Sequence, residues 1–70
     1  MIAIIKKLKA SYDVAEDIMY FCSSNHMRYE VKDIPETYEL KEILIDVPLN
    51  KYDRFMEYLN KIENKYTEVM

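Results

Sequence analysis

Cys22 and His26 stand four residues apart, the spacing at which two side chains share a helix face and could ligate one metal ion. They are the only cysteine and the only histidine, so a closed tetrahedral site would need carboxylates or a second chain to complete it. Cys22 also falls on an apolar stripe, where a free thiol behaves as a small hydrophobe. His26 follows Ser23-Ser24-Asn25, a run that stops helices. No metal ligand is therefore assigned. Ser23, Ser24 and His26 put a nucleophile beside a base, but such groups normally meet from different elements and are held by a third. Side by side at a helix end they read as a capping cluster. The chain has no glycine, which excludes a phosphate-cradling loop of the usual kind. No catalytic or cofactor-binding residue is assigned, and the chain is expected not to be an enzyme.

The remaining polar candidates are weak. Lys6, Lys7 and Lys9 gather where a first helix should begin, a place suited to an anion, but Asp13 already answers that helix dipole. A second group of charges, Glu36, Glu39, Glu42 and Asp46, could attract these lysines within or between chains. The net charge of −3 argues against sequence-independent nucleic-acid binding, which needs a dense basic surface. The apolar run Met1–Ile5 is too short for a signal peptide core, and its lysines follow it instead of preceding it. No stretch approaches the ~20 apolar residues of a membrane span. A lone thiol without an export signal points to the cytoplasm.

The elements that must position these residues are legible as periodicity. Met1 to Leu8 is apolar on both faces, as a central strand should be, with Ile2, Ile4 and Leu8 on the helix-covered side. Ser11 caps a helix from Tyr12 to Ser24, whose apolar stripe is Val14, Ala15, Ile18, Phe21 and Cys22. Met27 to Val47 reads as two strands joined at Pro35. The return strand changes parity, which predicts either a bulge near Lys41–Glu42 or an open face carrying Tyr38, Leu40 and Leu44. Asn50 then opens a second helix, Lys51 to Glu63, with the stripe Tyr52, Phe55, Met56, Leu59 and Ile62, and Tyr66–Val69 can add a last strand. With no glycine, any positive φ falls to Asn or Asp, and Asn25 and Asn64 stand where the helices should end.

The order β-α-β-β-α-β over residues 1–70 predicts one small α+β domain, a two-layer sandwich with both helices on one face. The right-handed crossover rule then gives an antiparallel sheet of order 4-1-3-2, its two most apolar strands in the middle. At fold level this resembles the ferredoxin-like architecture, and no residue motif identifies a family. Copper-carrying domains of that architecture place two cysteines after the first strand, where this chain has Lys9-Ala10-Ser11-Tyr12. Acylphosphate-hydrolysing enzymes of that topology use an arginine in the early loop and a helix-borne asparagine, and Arg28 and Arg54 match neither position. RNA-binding sheets stack bases on central-strand aromatics; here Tyr38 stands alone among Glu39, Glu42 and Asp46.

What remains is the sheet face away from the helices. Its predicted residues Ala3, Ile5, Tyr38, Leu40 and Leu44 form a protein-interface candidate fringed by Lys7, Arg28 and Lys32. A chain of 70 residues hides only about 60% of its unfolded surface, and its core supplies roughly 3–5 kcal/mol net. A single cysteine forbids an internal disulfide, so self-association is the remaining source of extra burial. The expected function is a non-catalytic protein-binding or regulatory module that forms homo-oligomers. Sensing of a small metabolite or anion, and inhibition of an enzyme, are the alternatives.

Overall fold

The computed structural model of the chain describes residues 2–62 and 65–69, with Tyr38 described by its backbone alone. Strand β1 spans Ala3–Ser11, helix α1 Tyr12–Ser24, strand β2 Arg28–Ile34 and strand β3 Thr37–Pro48. A 3-10 turn, Leu49–Lys51, leads into helix α2, Tyr52–Lys61, and strand β4 is Tyr66–Glu68. The fold is α+β. All four strands join in one antiparallel sheet of order β2-β3-β1-β4, which read from its other edge is β4-β1-β3-β2.

Register decides which side chains are buried. Leu8 pairs with Ile43, Lys6 with Ile45 and Ile4 with Val47, so alternate residues of the two central strands line one face. Leu8, Ala10, Ile43, Ile45 and Val47 on that face are buried together with Ala15, Ile18 and Cys22 of α1 and Phe55 and Leu59 of α2. Both helices therefore pack on the same side of the sheet. Phe21 links them, its ring 4.2 Å from Tyr58 in a stacked pair and 6.3 Å from Phe55 in a tilted one.

Several local expectations change. β1 runs three residues beyond Leu8, because Ala10 is buried between Lys41 of β3 and Tyr66 of β4. Ile2, placed on the covered side by parity, is 70% exposed at the strand's start, beyond the reach of the helices. The register shift of the β2–β3 hairpin lies between Asp33 and Ile34, not near Lys41–Glu42. β3 pairs with β1 without interruption from Leu40 to Pro48, so Leu40 and Leu44 fall on the uncovered face. α2 begins after a 3-10 turn that includes Asn50, and its N-cap Lys51 makes no side-chain cap bond. Glu63 and Asn64 lie outside the described residues.

The end of α1 corrects the expectation for Asn25. That residue has φ −106°, and the left-handed position belongs to His26 at φ 56°. His26 N–H donates to the Ser23 carbonyl (3.3 Å) and Met27 N–H to the Cys22 carbonyl (2.9 Å). These two bonds make a Schellman motif with His26 at the position that usually holds glycine and buried Met27 against Cys22. Asn25 acts through its side chain, donating from Nδ2 to the Phe21 carbonyl (2.9 Å). α1 has no basic residue in its last turn, and the 3-10 turn and α2 supply the missing cations. Lys51 Nζ donates to the Asn25 carbonyl and Arg54 to Asn25 Oδ1.

Two stability measurements follow. Phe55→Ala removes the largest buried ring and costs about 3–5 kcal/mol, comparable to the net stability of so small a core. Circular dichroism should find this variant mostly unfolded at 25 °C; a cooperative transition near the wild-type midpoint would contradict the packing. His26→Gly relieves the left-handed cost of a β-carbon and should raise the urea midpoint by about 1 kcal/mol in free energy. A lowered midpoint would mean that the His26 side chain, not its backbone, stabilises this end.

Candidate functional site

Of the sequence-predicted interface residues, Ala3, Ile5, Leu40 and Leu44 lie on the uncovered face of the sheet, where register sets their neighbours. Across the strands, Lys32 faces Glu42 and Lys9; Glu30 faces Leu44 and Lys7; Arg28 faces Asp46 and Ile5. Charges of opposite sign alternate across the strands of this face, and Lys7 Nζ stands 3.6 Å from Glu42 Oε1. Leu44 is half-buried with Lys7 and Glu30 beside it and Glu42 and Asp46 along its own strand. Leu40 is at the hairpin end opposite Ser11. Ala3 and Ile5 lie at the other end, where Ile5 is 68% exposed. The aliphatic residues share the face but are interleaved with charge, so it is a chequerboard in place of a continuous apolar patch. Tyr38 is in β3, and its side chain lies outside the described residues. A shallow depression lined by Arg28, Tyr29, Glu30, Leu44 and Asp46 marks the β2 side.

The chemistry-bearing residues are dispersed. The Cys22 thiol is buried, and burial pushes its pKa up to about 11. His26 is exposed and engaged through its backbone in the helix stop. The Ser23 hydroxyl donates to the Tyr29 hydroxyl at 3.4 Å. Arg54 is bonded to Asn25, and Lys41 pairs with Asp33 while reaching over the Tyr12 ring. Among the described residues no group of three His, Cys, Asp or Glu side chains gathers in a metal-binding arrangement. No helix among them is long and apolar enough to cross a membrane.

Lys6 departs from the lysine run. It lies on the helix-covered side, pairs with Glu68 of β4 at 2.8 Å and holds its ammonium 5.6 Å from the centre of the Tyr52 ring. The hydrogen bond it donates to the Glu68 carboxylate raises its pKa, with burial opposing and the Glu68 and Tyr52 charges assisting. β4 is thus anchored to β1 by an ion pair as well as by its ladder.

A second concavity opens on the helix layer. Asp17, Tyr20, Phe21 and Ser24 of α1, with Tyr58 of α2 and Ile62 just beyond it, line a cleft of about 480 Å³. The stacked Phe21–Tyr58 pair lines it, together with Tyr20, which stands 76% exposed. Burial, and then the Asp17 carboxylate, raise the Tyr58 pKa, with the Cys22 charge adding to both. Tyr20 and Tyr58 both lie off the apolar stripes read from the sequence. The signal was present as a second stripe, Asp17-Tyr20-Phe21-Ser24, at the i, i+3, i+4, i+7 spacing beside the core stripe.

Compared with protein-family models, curated proteins and solved structures, the chain finds no match in any of the three.

Three groups with raised pKa values, Cys22, Tyr58 and Lys6, make the fold sensitive to alkali. The raised Cys22 thiol favours folding at pH below its unfolded value of about 8.5, and that contribution is lost as pH rises towards about 11. The raised Lys6 ammonium acts in the same direction at higher pH, its pairing with Glu68 fading as the lysine deprotonates. Urea midpoints of the wild type should fall above pH 8.5, and Cys22→Ala should flatten the first part of that fall. Equal slopes for the two proteins would show that the thiol does not titrate as a buried group.

Proposed function

We propose that this chain is a non-catalytic protein-binding module that associates with a second copy of itself through the uncovered sheet face. The observation that carries the reading is Ile5, 68% exposed on a central strand of a face that no helix covers, with Ala3, Leu40 and Leu44 on the same face. Charge supports a like partner. Lysines and an arginine alternate with carboxylates over this face, so two copies can meet without net repulsion and pair opposite charges across the contact. Burying Ile5 fully would contribute about 1.5–3 kcal/mol per copy. The wiring is read as ferredoxin-like on element order alone, a fold that hosts many functions and assigns none. A reduced lone thiol suits a cytoplasmic setting.

Multi-angle light scattering over a rising concentration series tests the reading. The wild type should grow beyond the mass of a single chain. Ile5→Lys, which adds a cation beside Asp46, should remain at single-chain mass with an unchanged far-ultraviolet spectrum. A wild type that stays monomeric throughout, or an Ile5→Lys variant that associates equally well, would refute self-association through this face.

A further inference from the structure

The geometry points to a binding site for a lysine side chain of a partner protein in the cleft between α1 and α2, with its ammonium against Asp17 and its stem across Tyr20, Phe21 and Tyr58. The site is on the opposite layer from the proposed self-association face and does not depend on it.

Three observations converge on this chemistry. First, the walls are aromatic: Phe21 and Tyr58, stacked 4.2 Å apart, line the cleft with Tyr20, which is largely open to solvent. Apolar walls of this kind can cover the methylene stem of a lysine while its charged head stays near water. Second, among the described residues of the lining the one formal charge is the Asp17 carboxylate. Ion pairs among the described residues join Lys6 to Glu68, Lys7 to Glu42 and Lys41 to Asp33, and no lysine or arginine pairs with Asp17. Asp13 and Glu16 on the same helix extend the negative field, and the Asp17 charge is felt at the Tyr58 hydroxyl. Third, the dimensions suit a long side chain and not a bare ion. An open cleft of about 480 Å³ with apolar walls and the Asp17 carboxylate has ample room for a four-carbon stem ending in an ammonium. A small inorganic cation would leave the aromatic surface unused, and an anion would meet the Asp17 carboxylate.

The test uses the full chain, isotopically labelled, titrated with a capped alanine pentapeptide bearing a central lysine. Amide and aromatic shifts should change at Asp17, Tyr20, Phe21, Ser24, Tyr58 and Ile62 and saturate. The same peptide with norleucine in place of lysine keeps the stem without the charge and should not saturate. Asp17→Asn should weaken the lysine peptide about tenfold. Tyr20→Ala should weaken it too, and since both side chains are exposed, each variant should keep the wild-type circular dichroism. Shift changes centred elsewhere, equal binding of the norleucine peptide, or undiminished binding by Asp17→Asn would overturn the site. Binding of n-butylammonium as tight as that of the peptide would overturn the assignment to a protein partner. Light scattering of Ile5→Lys addresses self-association separately, so either reading can fail alone.

Discussion

The pairing of β1 with β3 governs everything else in this molecule. From Ala3 opposite Pro48 to Ser11 opposite Leu40 the ladder runs without a slip, and it assigns every residue of both central strands to a face. Because paired residues share a face, a slip of one residue would flip one strand against the other: with Leu8 and Ala10 kept inside, Ile43, Ile45 and Val47 would turn out and Glu42 and Asp46 would come in. Desolvating those charges without partners would cost more than a core of this size supplies. The helices follow from the ladder: α1 and α2 have only one apolar surface on which to lay Ala15, Ile18, Cys22, Phe55 and Leu59.

Absence of glycine concentrates strain and compensation at one corner. The chain must reverse sharply between α1 and β2, and His26 takes the left-handed backbone that glycine would take without cost. Five hydrogen bonds hold the corner: the two Schellman bonds to Ser23 and Cys22, the Asn25 amide on Phe21, and those of Lys51 from the 3-10 turn and Arg54 from α2. The same contacts tie α2 to the end of α1 and so fix the width of the cleft between them. Backbone chemistry at His26, not imidazole chemistry, explains why this residue stands beside Asn25.

Much of the architecture was legible because it is written in periodicity. The bounds of α1, its Ser11 cap with Val14 N–H donating at 3.5 Å, and the apolar stripes of both helices follow from residue spacing alone. What periodicity could not supply were features made by residues distant in sequence. Asn25 and His26 are both tolerant of unusual backbone, and only the hydrogen bonds of the finished turn select His26. Charge interleaving on the uncovered face needed the pairing of three strands, since each strand alone shows a mixture. The cleft needed two helices at a set separation. Lys6 shows the limit most plainly: its parity is that of the core, and only Glu68 and Tyr52, brought from the far end of the chain, make that position tolerable.

One register divides this small sheet into a core face and an uncovered face. Lys7 directs its carbonyl to Val69 and away from β3, so the pairs Lys7–Leu44 and Ile5–Asp46 are the close, non-hydrogen-bonded kind. Proton nuclear Overhauser spectroscopy reads such pairs directly. Strong Hα–Hα cross-peaks between Lys7 and Leu44 and between Ile5 and Asp46 are predicted; cross-peaks displaced by one residue on either strand would contradict the register and both faces built on it.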